Sequence, residues 1–199
     1  MAPGVQGLIV VDRHGPAMAR TVWGNPQRYL DSYWRKFAAQ GWFLAGDGAR
    51  YDDDGDTWIL GRVDDVINIS GHRLSTIEIE SALVAHPLVT EAGACPVPDP
   101  LTGHAAVAFV VLATGASSDT DPDDVAATLR AHVAHVIGPI ARPAAVVVVP
   151  DVPKTRSGKI MRRLLTQLYE GSTLGDTTSL QNEHCIAGIQ DVMAARRSA

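Results

Sequence analysis

Residues 61–73 read GRVDDVINISGHR, and this stretch organises the rest of the chain. Its central run alternates apolar Ile67 and Ile69 with polar Asn68 and Ser70, which predicts a short strand with one buried face. Gly71 follows, and a residue without a Cβ can turn the backbone sharply or let a ligand approach it closely. The stretch therefore predicts a strand that ends in a tight turn.

Two cations and a helix start surround this turn. Arg62 precedes the strand and Arg73 follows it, while Ser75 and Glu78 have the spacing of a capping box at a helix N-terminus. Guanidinium groups and free helical N–H groups both favour anions, so an anion site is one interpretation. A surface hairpin that leads into a helix is the alternative, and spacing alone favours it.

Composition indicates an ordinary globular protein. The chain has 199 residues, of which 46% are hydrophobic and 20% charged, with a net charge of −5. General nucleic-acid binders are usually basic, so this balance argues against that class. No apolar run has the length of a membrane span. Cys95 and Cys185 match no metal or redox spacing, which suits a reducing compartment, and we expect a cytoplasmic protein.

The pattern of elements predicts an α+β fold. Residues 64–170 have the order strand, helix, strand, strand, helix, strand, helix, which predicts a small domain with a central short sheet flanked by helices. Residues 1–63 contain strands and one aromatic-rich helix from Asn25-Pro26 to Gly41, and are typical of the edge of a larger domain. Residues 171–199 are mostly polar and are expected to form a loosely held tail.

Acidic residues alternate at Asp52, Asp54 and Asp56, but they do not predict a calcium site. A calcium-binding loop of the EF-hand type would need Gly where Thr57 stands and Glu where Val63 stands. A hairpin turn through Asp54-Gly55 is the better interpretation. The sequence predicts no metal site.

Residues 154–163 concentrate positive charge in an otherwise acidic chain. Five of the 17 basic residues lie there with no acid among them, namely Lys154, Arg156, Lys159, Arg162 and Arg163. Ser157 is a candidate cap for a helix from about residue 158 to 170, which places Lys159 at a helix start. The composition fits a catalytic lysine that stabilises a developing negative charge. It fits a DNA- or membrane-binding basic helix equally well.

Three motifs together indicate a family. Residues 61–75 (GRVDDVINISGHRLS), 43–47 (FLAGD) and 153–163 (PKTRSGKIMRR) closely resemble, in the same order, segments of the adenylate-forming ligases. The resemblance is greatest to AMP-forming acetyl-CoA synthetases and extends from about residue 7 to about residue 180. It implies the two-domain ligase fold and a reaction of ATP, acetate and CoA that gives AMP, pyrophosphate and acetyl-CoA through acetyl-adenylate.

The resemblance assigns roles to the nucleotide-facing residues. Asp47 is expected to accept hydrogen bonds from the ribose hydroxyls of ATP or AMP, and a carboxylate offers two acceptor oxygens for that purpose. Arg62 is expected near the ribose and phosphate, and Arg73 near the phosphate. Asp64 corresponds to the hinge about which the small domain rotates between the two half-reactions.

Other residues of the motifs face CoA and the reacting groups. Ser70 and Gly71 are expected to line the path of the CoA pantetheine arm. Lys159 corresponds to the lysine that reaches between the substrate carboxylate and the α-phosphate during adenylation. In the family this lysine is also a target of reversible acetylation, so a lysine acetyltransferase and a deacetylase are expected partners, and acetylation would remove the charge.

The sequence also departs from the family pattern. Ala45 stands where the family usually has Thr, which removes a hydroxyl near the nucleotide. Ala134 and His135 stand where acetyl-CoA synthetases usually have basic residues thought to meet the 3′-phosphate of CoA. Nothing here resembles the phosphate loop, the adenine pocket or the acyl pocket, and the residues that would hold Mg²⁺ with ATP are mostly lacking.

We therefore expect a truncated C-terminal portion of such a ligase that is inactive alone. Three alternatives remain open. The chain could be half of a split ligase that works with a separate N-terminal domain in trans. It could be a non-catalytic binding or regulatory module, such as a decoy for the acetyltransferase. A nucleic-acid role for the basic cluster is the weakest alternative, and we expect no nucleic acid or membrane partner.

Overall fold

The computed structural model describes residues 2–115 and 121–198, apart from the side chain of Asp64. The chain divides into two compact units, Met1–Val66 and Ile67–Ala199. The polar composition of residues 113–121 predicts a surface loop, of which residues 116–120 lie outside the described residues. None of the helices in the described ranges combines the length and the apolar character that a bilayer span needs.

The first unit is a three-stranded antiparallel sheet with one helix. Its strands are β1 (Gly7–Val11), β2 (Phe43–Tyr51) and β3 (Thr57–Arg62), in the order β1-β2-β3. The helix α1 (Pro26–Tyr33) begins where the Asn25 side chain accepts a hydrogen bond from the amide of Arg28 at 3.0 Å, as the Asn-Pro pair predicts. It ends well before Gly41, however, and a short 3₁₀ turn follows it.

The aromatic residues of α1 form a packing face, as their helical spacing predicts. The ring of Tyr33 stacks on Phe43 of β2 with a centroid distance of 5.0 Å, and Trp34 meets the same ring edge-on at 5.5 Å. The turn predicted at Asp54-Gly55 joins β2 to β3. Asp52 holds this turn together by accepting hydrogen bonds from the amides of Asp54 and Asp56, at 3.1 and 2.8 Å.

The second unit contains a five-stranded sheet. Its strands are β4 (Val66–Ile69), β5 (His72–Ser75), β6 (Val89–Asp99), β7 (Gly103–Leu112) and β8 (Ala145–Val148). The order is β5-β4-β7-β6, and β8 pairs with β7 in parallel. Ile67 and Ile69 are buried while Asn68 is exposed, so the alternation predicted for the central stretch is confirmed.

Two pairs of helices cover the two faces of this sheet. The helices are α2 (Thr76–Val84), α3 (Pro122–Val136), α4 (Arg162–Glu170) and α5 (His184–Ser198). Side chains of α2 and α3 share one buried cluster with Ala106, Ala108 and Val110 of β7. Side chains of α4 and α5 share a second cluster with Val107 and Phe109 of the same strand. The predicted α+β fold, a short central sheet flanked by helices, is confirmed.

The C-terminal segment is not the loosely held tail that its polar composition suggests. Cys185, Ile189 and Met193 recur every four residues along α5 and are buried, and the last two share a cluster with residues of the sheet. A sparse apolar stripe at helical spacing is enough to seat a helix, and the polar residues between these positions face solvent. The described part of 171–199 is therefore an integral part of the second unit.

The helix predicted from about residue 158 begins later. α4 starts at Arg162, after Met161, and Ser157 does not cap it. Residues 155–159 instead close a tight turn, in which the amide of Thr155 donates to the carbonyl of Lys159 at 2.9 Å and that of Gly158 to the carbonyl of Thr155 at 2.8 Å. Lys159 therefore lies on a loop before the helix.

Candidate functional site

Asp47 and Arg62 are neighbours in the first unit. They are register partners on the antiparallel strands β2 and β3, and both are half-buried. The Gly-Asp-Gly sequence at residues 46–48 predicts a turn. The structure corrects this prediction, because Asp47 lies within β2. A carboxylate beside a guanidinium offers acceptors for hydroxyl groups and a permanent cation for a phosphate within one small area.

The guanidinium of Arg62 lies over the peptide that precedes Asp47. Its Nη1 donates to the carbonyl of Ala45 at 3.3 Å. Gly46 has a φ of +87°, and a Cβ at this position would come within 3.0 Å of both terminal nitrogens of Arg62. The positive φ favours glycine at this position, and the absence of a Cβ leaves room for the Arg62 guanidinium over this peptide.

Asp64 lies in the short connection between the two units. Its backbone belongs to a single 3₁₀ turn, Val63–Asp65, and the boundary between the units follows Val66. The side chain is outside the described residues. The position suits a pivot, since few residues separate β3 of one unit from β4 of the other, but the hinge role stays a prediction.

Ser70 and Gly71 form the two-residue turn between β4 and β5. Their φ angles are +50° and +84°, which are typical of a type I′ hairpin. Ser70, Gly71 and Arg73 are all exposed, and a Cβ built at Gly71 would meet no atom within 4 Å. At this turn the backbone of Gly71 is accessible to a ligand, and Arg73 adds an exposed cation.

Three of the five clustered cations have partners within the fold. Lys154 Nζ contacts Glu91 at 2.7 Å and Asp151 at 3.1 Å. The hydrogen bonds that the Lys154 ammonium donates to these carboxylates raise the pKa of Lys154, with Glu91 contributing most. Arg162 forms two hydrogen bonds with Glu80, at 2.8 and 2.7 Å.

Arg163 is engaged as well, and this corrects the view of residues 154–163 as one anion-seeking patch. Its guanidinium donates to the side chain of Gln167 at 3.2 Å and to the carbonyl of Asp176 at 2.5 Å. In the part of the chain that the structure describes, only Arg156 and Lys159 of this cluster are exposed without a side-chain partner. A basic helix that binds DNA or membranes would need the other three cations free to pair with phosphate groups.

The turn that carries Lys159 is itself well ordered by hydrogen bonds. The amide of Lys159 donates to Thr155 Oγ1 at 3.1 Å, and the same hydroxyl lies 3.0 Å from Ser157 Oγ. Gly158 supplies the positive φ, +80°, that the turn requires. A fixed backbone with an exposed, flexible ammonium is suited to reach a bound carboxylate or phosphate.

Comparison with known proteins connects this geometry to a family. The family described as AMP-binding enzyme C-terminal domain matches residues 78–159, a range that ends on Lys159. Acetyl-coenzyme A synthetase of Mycolicibacterium smegmatis is 55% identical over 179 residues, which are 90% of this chain and 19% of that protein. The corresponding protein of Mycobacterium tuberculosis H37Rv is also 55% identical over 90% of this chain, and 27% of its own length is covered. Residues 78–159 thus match the AMP-binding enzyme C-terminal domain, and most of the chain is similar to acetyl-coenzyme A synthetases.

A solved structure shares the fold of most of this chain. The ATP-bound MatB of Rhodopseudomonas palustris superposes with a TM-score of 0.69 at 26% sequence identity, over 85% of this chain and 31% of MatB. This chain therefore spans less than a third of the length of the relatives compared. The matched family domain lies wholly within the second unit.

Across the two units, the predicted site residues fall on three separate supports. Asp47 and Arg62 share the β2–β3 pair, and the motif residues 70–73 share the β4–β5 hairpin. Lys159 occupies its own turn before α4. Sequence reasoning missed Glu80, Glu91 and Asn182, which hold the base of the lysine turn. The capping-box position of Glu78 drew attention to α2, but no local signal indicates that Glu80 turns inward.

Proposed function

We propose that this chain supplies the C-terminal part of an AMP-forming acetate–CoA ligase. The observation that carries the proposal is the turn in which Lys159 is exposed and unpaired while Lys154, Arg162 and Arg163 are held by the fold. A patch for non-specific anion binding would leave all of these cations available. The two relatives compared above are named acetyl-coenzyme A synthetases, which favours acetate as the acid.

The proposed chemistry has two half-reactions. An acetate oxygen attacks the α-phosphorus of ATP, the bond to the β-phosphate breaks, and acetyl-AMP and pyrophosphate form. The Lys159 ammonium lies between the carboxylate and the α-phosphate and stabilises the charge that builds there. The CoA sulfur then attacks the acetyl carbonyl, and AMP leaves as its phosphate oxygen takes the bonding electrons.

The other motif residues bind and orient the substrates in this scheme. Asp47 accepts hydrogen bonds from the ribose hydroxyls, and Arg62 beside it attracts the phosphate. Asp64 is the pivot between the two half-reactions. Ser70 and Gly71 border the pantetheine arm of CoA, where the absence of a Cβ leaves room, and Arg73 lies near the phosphate.

Magnesium enters this scheme with ATP, as part of the metal–nucleotide substrate. Among the described residues no group of three or more His, Cys, Asp and Glu side chains is arranged to hold a metal ion. We propose that the site for this metal lies largely in the N-terminal domain. The proposed compartment is the cytoplasm, and Cys95 and Cys185, which are free thiols, fit it.

An N-terminal ligase domain is the proposed protein partner, in trans or covalently joined. The first unit leaves large apolar side chains in solvent, with Trp58 55% and Ile59 61% exposed. In the described part of that unit, the hydrophobic side chains that are buried are Tyr29 and Ala49. Burying this apolar surface against another domain would lower the free energy of the protein. We expect the chain alone to be inactive, because positioning and electrostatic stabilisation both need the second domain.

A regulatory role is the second candidate, and the exposure of Lys159 favours it. An acetyltransferase can reach an ammonium on an exposed turn, and acetylation would remove the charge on which adenylation depends. A non-catalytic module that only receives this modification would show acetylation of Lys159 without any ligase activity in trans. A deacetylase would reverse the modification in either case.

The deciding experiment is acetate-dependent exchange between ATP and pyrophosphate. We would assay the purified chain alone and with the N-terminal domain of a homologous acetyl-CoA synthetase added. Exchange is expected only in trans, with a loss of about 100-fold or more in Lys159→Ala. Arg156→Ala is the matched control, because it removes the other exposed cation of the same turn. Equal losses in the two variants, or no exchange in trans, would refute the proposal.

A further inference from the structure

The segment before α5 runs beside the base of the lysine turn, by which we mean the backbone on either side of residues 155–159. Leu180 forms an isolated antiparallel bridge with Thr155, and the amide of Gln181 donates to the carbonyl of Lys154 at 2.9 Å. Leu180 is 7% exposed, so an apolar anchor fixes this segment against the fold. A part of the chain far from the ligase motifs thus extends the backbone pairing on which the turn depends.

Asn182 binds this base through every polar atom of its amide. Its Oδ1 accepts a hydrogen bond from the amide of Lys154 at 2.9 Å. Its Nδ2 donates to Asp151 Oδ2 at 2.6 Å and to the carbonyl of Val152 at 2.8 Å. One acceptor and two donors in a planar arrangement are what an amide side chain provides, whereas Ala would break all three bonds and Asp would lose both donors.

The opposite strand of the base is fixed separately. The amide of Met161 donates to the carbonyl of Pro153 at 2.8 Å, and Lys154 forms a bridge with Ile160. Asn182 therefore holds the side of the base that leads into the turn, and Met161 closes the side that leaves it. Between them Lys159 projects from residues 155–159 with no support of its own side chain.

We propose that Asn182 is a positioning residue for Lys159, and that the segment 180–182 is the clamp through which it acts. The inference rests on the proposed adenylation role of Lys159. Asn182 touches no substrate in this scheme. It sets where the turn stands, and so how closely the ammonium can approach the reacting carboxylate and α-phosphate. A displacement of about 1 Å at such a centre can cost about 100-fold in rate.

The first test follows the clamp without any catalysis. Amide hydrogen exchange in the intact chain is compared among wild type, Asn182→Ala and Gln181→Ala, and the latter changes an exposed neighbour whose amide still donates. Asn182→Ala is expected to accelerate exchange at Lys154, Thr155 and Lys159 by about 10-fold or more, with α3 unchanged. Unchanged exchange in the turn, or an equal effect of Gln181→Ala, would overturn the proposal.

The second test separates positioning from binding. In the trans assay, Asn182→Ala is expected to lower kcat by about 10- to 100-fold while KM for ATP stays within about 2-fold. A change in KM alone would overturn the positioning role. An absence of exchange activity when the wild-type chain and the N-terminal domain are combined would refute the proposed ligase function. The hydrogen-exchange experiment would still decide whether Asn182 orders the turn.

A charge exchange covers the case in which Asn182→Ala folds poorly. Asn182→Asp places two carboxylates together at Asp151, and Asp151→Asn in the same chain restores a donor opposite the acid. The double variant is expected to recover slow exchange in the turn, and kcat, by about 5-fold or more over Asn182→Asp. Failure to recover either quantity while the double variant remains folded would contradict a clamp built on this contact.

Discussion

Glu80 of α2 receives two hydrogen bonds from the guanidinium of Arg162 at the start of α4, at 2.8 and 2.7 Å. The same carboxylate accepts a third from the amide of Ala94 at 2.9 Å. Both side chains are largely buried, at 12% and 14% exposure. This contact joins helices on opposite sides of the sheet and fixes the point from which α4 begins, three residues after Lys159.

Glu80→Gln is expected to destabilise the second unit by about 3 kcal/mol, because Arg162 loses its buried counter-charge. Unfolding is followed by far-ultraviolet circular dichroism, which reports mainly the helices of this unit. All four tryptophans lie in the first unit, so their fluorescence is an internal reference that should not change. Glu78→Gln, an exposed change on the same helix, should cost less than about 1 kcal/mol. Equal costs would contradict the importance of the buried pair.

The Asp151 contact predicts a dependence of stability on pH. Burial raises the pKa of Asp151, but the hydrogen bonds from Asn182 and Lys154 outweigh it, and the pKa lies below its ordinary value of 3.8. A depressed carboxyl pKa stabilises the fold above the unfolded pKa, and that contribution disappears as the pH falls through the folded pKa. Asp151→Asn should therefore be less stable than wild type near neutral pH and approach it below about pH 3.9.

The measurement is the free energy of unfolding of both proteins at several pH values between neutral and acid. Asp191→Asn removes one exposed acid from α5 and controls for the change in net charge. A difference between Asp151→Asn and wild type that stays constant across this range would mean that the carboxylate contributes shape rather than charge.

The turn between β4 and β5 predicts a stabilising substitution. Ser70 has a φ of +50°, a left-handed conformation that Asn adopts more readily than Ser. Because Ser70 is exposed, packing does not obscure the backbone effect. Ser70→Asn should stabilise the second unit by a few tenths to about 1 kcal/mol, and Ser70→Val should destabilise it by about 1 kcal/mol or more. Denaturant unfolding checks both, and the reverse order would show that side-chain contacts determine this position.

Sequence reasoning succeeded where the deciding interactions are local. Three such features depend on neighbours within a few residues: the cap at Asn25, the start of α3 that the pair Asp121-Pro122 predicts, and the alternation of Ile67 and Ile69. At Asp47 the prediction of a turn was wrong. Glycine occurs both in turns and in irregular strands, and only the pairing of this segment with β3 distinguishes the two.

The basic cluster shows the opposite case. Lys154 and Glu91 are 63 residues apart, and Arg162 and Glu80 are 82 apart. No periodicity in the sequence connects such pairs. The sequence therefore does not distinguish the three cations that have partners in the fold from the two that have none among the described residues. The position of α5 is not evident from the sequence for a related reason, since the burial of Ile189 and Met193 depends on the sheet face that they cover.

The final prediction concerns the CoA contact at the end of α3. His135 is exposed in the last turn of this helix, at a position where acetyl-CoA synthetases are expected to have a basic residue near the 3′-phosphate of CoA. The helix dipole also favours a cation there. His135→Arg should lower KM for CoA in the trans assay by about 2- to 5-fold, an effect that added salt weakens. Dephospho-CoA, which lacks the 3′-phosphate, is the matched control and should show no gain. Equal gains for both substrates would place the contact elsewhere on CoA.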